Sequence, residues 1–279
     1  MRRVIAAALV TACACAHPAP SPDASATTEA APPPVAGEER PIPSDLAAEV
    51  RRVQATALFL VESLDETFAA VHALQASDDT LGPEFLAVLT LPTPWARGWD
   101  VLFVAERRGG GVAVVYEGRH ADDSASRSFQ RLDDPRPLIG VEVDAWAARQ
   151  LAADRYLRNG ACHGSFQALV LPPHKGIDGF TIYILPTFGK DGIAIGGFRR
   201  IRISADGQRV LADEPLTEGC RSFSGSEKSI HVRNQVVDVP DEMSVMHAIG
   251  FPRTYEVVTR RGRWDITSGK VRFLGDAAP

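Results

Sequence analysis

The stretch FRRIRISADGQRVLAD, residues 198–213, decides the fold class. Ile201 and Ile203 fall on one side of an extended segment and Phe198, Arg200 and Arg202 on the other, the period-two alternation of a half-buried strand. Ala205-Asp206-Gly207-Gln208 then supplies an Asp-Gly turn, and Arg209–Asp213 carries the chain back. Phe180–Leu185 upstream reads as a further strand, so the local unit is an antiparallel meander. One face of it is core and the other carries a basic stripe.

The same pattern recurs on both sides. Downstream, Thr254–Thr259 and Arg263–Thr267 flank the tight turn Arg260-Arg261-Gly262, and Lys270–Leu274 offers another strand. Upstream, Trp99–Glu106 and Gly111–Glu117 alternate across Arg107-Arg108-Gly109-Gly110. Those glycines are read as a turn, because no phosphate-loop spacing leads from a strand into a helix there. The clearest helix spans Asp144 to Asn159, with Asp144 as N-cap, Trp146, Leu151, Tyr156 and Leu157 as apolar positions, and Gly160 at C′. A second helix opens at Ser44, carries Leu46, Val50, Val53 and Ala57, and either runs into Leu58–Glu62 or gives way to a strand there. Asp65–Leu74 reads as a short helix, and Ser244–Ala248 fits strand or helix. The expected fold is α+β, an antiparallel sheet of about seven or eight strands with two or three helices, as one domain over 44–279 with a possible subdivision near 160.

Composition narrows the partners. A formal net charge of −5 argues against a nucleic-acid partner, since domains that bind one usually carry a strongly basic face. Residues 17–43 hold eight prolines among Ala, Ser, Thr and Glu, too little apolar surface to offset ordering, and are read as a disordered, partly polyproline tether.

Ahead of the tether, Arg2 and Arg3 precede an uncharged run from Val4 to Ala12 that ends at Cys13, a signal-peptide layout too short for a membrane-spanning helix. Val10-Thr11-Ala12-Cys13 resembles the lipobox of bacterial lipoproteins. That resemblance implies removal of residues 1–12, acylation of Cys13, and anchoring in the cell envelope through the N-terminal lipid. Ala14 after the cysteine implies the outer membrane, facing the periplasm. Cleavage after Ala14 or Ala16 is the alternative, and would leave the protein exported but unanchored. Export means an oxidising setting, in which Cys162 and Cys220, the thiols of the folded part, are expected to form a disulfide rather than remain two buried thiols. No CxxC or zinc-ribbon spacing is present, and no cofactor or metal is expected.

Within 181–220, Ile182-Tyr183-Ile184-Leu185-Pro186, then Ile195-Gly196-Gly197-Phe198-Arg199, then Ser204-Ala205-Asp206-Gly207 and Cys220 are similar to a segment of uncharacterised bacterial envelope proteins. The resemblance implies no activity. It places a histidine after the paired glycines, where this chain has Phe198.

Few residues point to chemistry. Histidines 72, 120, 163, 174, 231 and 247 form neither HxH nor HExxH. Asp241 and Glu242 precede His247 and read as a surface turn before a partly buried histidine. Cys162-His163 would poise a thiolate only if the thiol were free. Ser222, Ser224 and Ser226 lie in a polar loop without a nucleophile elbow. Asp122-Asp123 and Asp133-Asp134 are paired carboxylates in loops. Arg199, Arg200, Arg202 and Arg209 either pair with Asp206, Asp213 and Glu214 or bind an anionic envelope component, with Arg200 and Arg202 the anion-binding candidates.

Two function classes follow. One is a lipid-anchored, non-catalytic envelope protein whose sheet docks a protein or an envelope polymer, marked by an apolar surface near a sheet edge. The other is a periplasmic hydrolase using His163, His231 or His247 as base, marked by a deep pocket where a histidine meets a carboxylate.

Overall fold

The computed structural model describes residues 38–77, 81–93, 98–121, 127–159, 162, 165–174, 176–187, 193–217, 219–220, 222–223, 229–234, 236–251 and 253–276. Cys13, residues 17–37 of the tether, Asp122, Asp123, Gly160, His163, Ser224 and Ser226 lie outside them. In chain order the elements are α1 (Ala47–Ala76), β1 (Phe85–Pro92), β2 (Gly98–Glu106), β3 (Val112–Ala121), β4 (Arg127–Arg136), α2 (Val141–Arg158), β5 (Phe166–Leu171), β6 (Phe180–Pro186) and β7 (Ile193–Ala194). They continue with β8 (Arg199–Ile203), β9 (Val210–Pro215), β10 (Ser222–Phe223), β11 (Ser229–Arg233), α3 (Glu242–Gly250), β12 (Thr254–Thr259), β13 (Gly262–Thr267) and β14 (Lys270–Gly275). Among the described residues, no helix is long and apolar enough to cross a membrane.

Among the described residues the fold is α+β with three helices. The seven or eight strands of one sheet are corrected to three four-stranded sheets, β1-β2-β3-β4, β5-β6-β8-β9 and β11-β12-β13-β14, plus the short ladder β10-β7. The meander that set the fold class is present. β6 and β8 pair antiparallel, Ile182 opposite Ile201, and Ser204 and Arg209 close the turn into β9 through a 2.9 Å backbone hydrogen bond.

Two compact units divide the chain. Of the described residues, unit 1 comprises those of Glu62–Gly192 and Arg199–Glu214; unit 2 comprises residues 38–61, Ile193–Phe198 and those from Pro215 on. In unit 1, Leu89, Leu102 and Val104 of the first sheet share a core with Ile182, Ile184, Ile201 and Ile203 of the second and with Trp146, Ala148 and Tyr156 of α2. β6 is buried along its whole length, which is why it reads as an unbroken apolar run. On the other face of β1–β4, Ala70, Val71 and Leu74 of α1 cover Phe85, Val101, Phe103 and Tyr116. At about 1.5–3 kcal/mol for each large side chain removed from water, these two layers dominate the stability of unit 1.

Helix α2 starts four residues earlier than the capping pattern suggests. Its N-cap is Gly140, at φ 51°, with no side-chain cap, so Asp144 belongs to the first turn. Glu142 takes over part of that role by accepting the Ile139 N–H at 3.0 Å. Leu157, expected in the core, is exposed. Helix α1 is continuous over 30 residues, joining the two segments read separately, because no glycine or proline interrupts it.

In unit 2, Leu46, Val50, Val53, Ala57 and Leu60 are the buried stripe of α1. β11 and β12 run parallel, Ile230 opposite Tyr255, and α3 bridges them before packing on β12 and β13. One parallel pair therefore departs from the antiparallel expectation, and the crossover is the reason, since parallel strands need a long connection. Ser244–Ala248 belongs to α3. Arg40, in the segment read as tether, donates its N–H to Phe273 on the edge strand β14 at 2.8 Å.

Candidate functional site

Two clefts open in unit 1. The first is built by irregular pairing at one level of the sheet. Phe85 pairs with Ala105 and Ala87 with Val104, leaving Leu86 extra on β1. Phe103 pairs with Tyr116 and Val104 with Val114, leaving Val115 extra on β3. Between the pairs Val114–Arg136 and Tyr116–Arg131, that same Val115 faces Leu132, Asp133, Asp134 and Pro135 of β4. Bulges re-aim side chains. Val115 and Tyr116, adjacent in sequence, consequently both join the cluster of Phe85 and Phe103, while Val114 joins the opposite core.

The space left by this disruption is a cleft of about 490 Å³. Phe85, Ala105, Val115 and Tyr116 form its apolar part, and Glu84, Arg131 and Asp133 are its charged groups. Tyr116 is fixed from beneath by Phe129, whose ring lies parallel at 5.7 Å, and Arg131 places its guanidinium 5.8 Å from the Tyr116 ring centroid.

The second cleft, about 310 Å³, lies between the end of edge strand β1 and the start of α2. Leu91, Pro92, Leu102, Ile139 and Val141 line it with Asp100 and Glu142. Ile139, Val141 and the nearby Val143 are 61%, 44% and 47% exposed, a concentration of apolar surface at one helix end. Arg136 holds both oxygens of Glu142, at 2.8 and 2.9 Å, and reaches Glu117 at 3.2 Å, so the helix start is pinned.

Half of the arginine stripe is committed. Asp213, 7% exposed at its side chain, accepts from Arg199 Nε at 2.8 Å, Arg155 Nε at 2.9 Å and Asn159 Nδ2 at 2.8 Å. Arg200 donates to Glu214 at 2.9 Å, and Arg202 and Arg209 are exposed. Cys162 and Cys220 are joined as a disulfide, so neither offers a thiolate beside His163. Ser222 lies in β10 rather than in a loop, and Asp133 and Asp134 lie in the irregular part of β4.

The histidines separate. His231 Nδ1 meets Glu256 Oε2 at 3.1 Å across β11 and β12, and Arg263 reaches the same carboxylate at 3.3 Å. The surface-turn reading of residues 241–247 is corrected: Asp241 is the buried N-cap of α3. It accepts from the Met243 and Ser244 N–H groups at 3.0 and 2.9 Å, from Ser244 Oγ at 2.8 Å and from Asn234 Nδ2 at 3.2 Å. Burial nevertheless pushes its carboxyl up to about 6. His247, 7% exposed, lies on the buried helix with its ring edge-on to Phe198 at 5.2 Å and Phe251 at 5.7 Å. Desolvation holds its pKa down to about 4, so the ring is neutral at physiological pH.

Two groupings escape sequence reasoning. His120 Nδ1 meets the buried carboxylate of Glu66 at 2.9 Å, a pair 54 positions apart on β3 and α1. Glu84 joins Arg131 and Asp133 only through the sheet register. No local pattern marks either one. Neither the Glu66–His120 nor the His231–Glu256 pair lines one of the two clefts. Among the described residues, no group of three or more His, Cys, Asp and Glu side chains is arranged to hold a metal ion. Compared with family models, with curated proteins and with solved structures, the chain finds no match.

Proposed function

We propose that the chain is a non-catalytic binding protein of the bacterial cell envelope, exported, anchored through acylated Cys13 to the outer membrane and facing the periplasm. Its folded part docks a protein partner at the cleft beside β1. The observation that carries this reading is the apolar lining of that cleft together with exposed Ile139 and Val141 at its mouth. Exposed aliphatic side chains next to an edge strand favour burial against another surface. A proline-rich segment between anchor and folded part would extend at about 3 Å per residue and give the reach such docking needs.

The hydrolase reading draws on His231 held by Glu256, a histidine meeting a carboxylate. It is the weaker one, because that pair lies outside both clefts.

A photoreactive residue at position 141, in cells making the full chain, tests the docking. A discrete crosslinked adduct that is lost on Ile139→Asp is expected; diffuse labelling, or an adduct indifferent to Ile139→Asp, would overturn it. For the anchor, Cys13→Ser should abolish incorporation of labelled fatty acid and leave residues 1–12 attached, giving a larger chain. Continued incorporation of label would refute it.

A further inference from the structure

We propose that the bulge-built cleft on β1–β4 is a saccharide site, taking a short neutral oligosaccharide. It stands apart from the docking surface beside α2 and does not depend on it.

Charge excludes the simpler ligands. Glu84 and Asp133 are exposed carboxylates, and Arg131 contributes an exposed guanidinium. An anion would meet the two acids, and a strongly cationic ligand would meet Arg131. A neutral polyol meets neither penalty: its hydroxyls donate to Glu84 and Asp133, and its oxygens accept from Arg131, whose five N–H groups exceed what one partner uses. Hydrogen bonds with one ionised partner are the stronger kind, so three such groups suffice to orient a ring.

Position agrees with charge. Glu84 precedes β1 and Arg131 and Asp133 sit on β4, the two edges of the sheet, while Ala105, Val115 and Tyr116 come from the strands between. Planar polar groups therefore stand at either end of a mostly polar cleft whose floor is the packed layer of Ala105, Val115 and Tyr116, which suits a sugar, whose rim is hydroxyl. The volume of about 490 Å³ lies within the range of small-ligand sites. Tyr116 is held by Phe129 and Phe103, so the floor is in place before a ligand arrives. The bulges add a further argument: they interrupt three ladders at the same level, a disruption that would weaken the sheet if it served no recognition.

Calorimetric titration of the full chain in detergent with two probes, an N-acetylglucosamine tetramer and maltotetraose, tests the assignment. At least one should bind saturably below about 1 mM. Glu84→Gln combined with Asp133→Asn should weaken it by about tenfold or more while leaving the thermal midpoint unchanged, since both side chains are exposed, and Arg131→Met, which also gives up its contact with the Tyr116 ring, should weaken it by a similar factor. Ile139→Asp should leave the saccharide affinity intact, which separates this site from the docking surface. Absence of saturation by either sugar, or equal affinity in the cleft variants, would overturn the proposal. So would preferential capture of an uncharged tetrapeptide in their place.

Discussion

His247 and Asp241 sit on one buried helix and titrate in opposite senses. The folded-state pKa of His247 is about 4, below its ordinary 6.5, so its contribution is fully present above pH 6.5 and is lost as pH falls towards 4. For Asp241 the folded value is about 6 against 3.8, so its contribution is present below 3.8 and lost as pH rises through 6. Each amounts to about 3 kcal/mol. Between about pH 4 and 6 they cancel, and α3 confers little net pH dependence. Replacing His247→Leu removes one limb and exposes the other: stability should then fall by about 3 kcal/mol between pH 4 and pH 6, read from urea unfolding at each pH. A variant as flat as the parent chain would mean that Asp241 stays ionised throughout. The sequence marked these residues as neighbours but could not show His247 buried, because part of its surroundings comes from Phe198, 49 positions away in sequence.

At the scale of elements, turns and caps carry the specificity. Gly207 ends the Asp-Gly turn at φ 71°, and a Cβ there would lie 2.4 Å from the Asp144 carbonyl oxygen and 2.8 Å from Ala147 Cβ on α2. Gly207→Ala therefore combines a left-handed backbone with a collision against a helix, and should cost about 3 kcal/mol; a loss under about 1 kcal/mol would show that α2 shifts freely. Asp241→Ala removes four accepted hydrogen bonds at the start of α3 and strands buried donors, an expected loss of about 3 kcal/mol in chemical denaturation. Hairpins were legible for the same reason these positions are sensitive. Strong turn residues flanked by alternation located β2–β3, β8–β9 and β12–β13–β14 in the sequence. β1 and β5 were not recognised either; β11 reaches its partner only through a helix, and β4 is broken by Leu132–Pro135, so neither of these two reads as a hairpin. Cap chemistry misled at α2, where Gly140 and Glu142 do what Asp144 was expected to do.

Across the whole molecule, local patterns could not say which strands share a sheet, so one sheet was expected where there are three. The clefts were invisible for a related reason: Glu84 and Asp133 become neighbours through four strands of register, not through spacing. The Cys162–Cys220 disulfide was legible, because the argument for it used compartment rather than contact. That argument carries a prediction. Closing so long a loop removes entropy from the unfolded chain worth about 4 kcal/mol on the chain-entropy account. A chain produced without residues 1–16, which keeps Cys162 and Cys220 as its two cysteines, should hold two free thiols in a reducing cytosol and unfold at lower urea than the exported form. Oxidising it should restore the difference, and dithiothreitol should abolish it. Cys162→Ser and Cys220→Ser, singly and together, should each match the reduced protein, since either substitution opens the same loop. If the double variant were as stable as the oxidised chain, the disulfide would owe its presence to the compartment alone and not to any need of the fold.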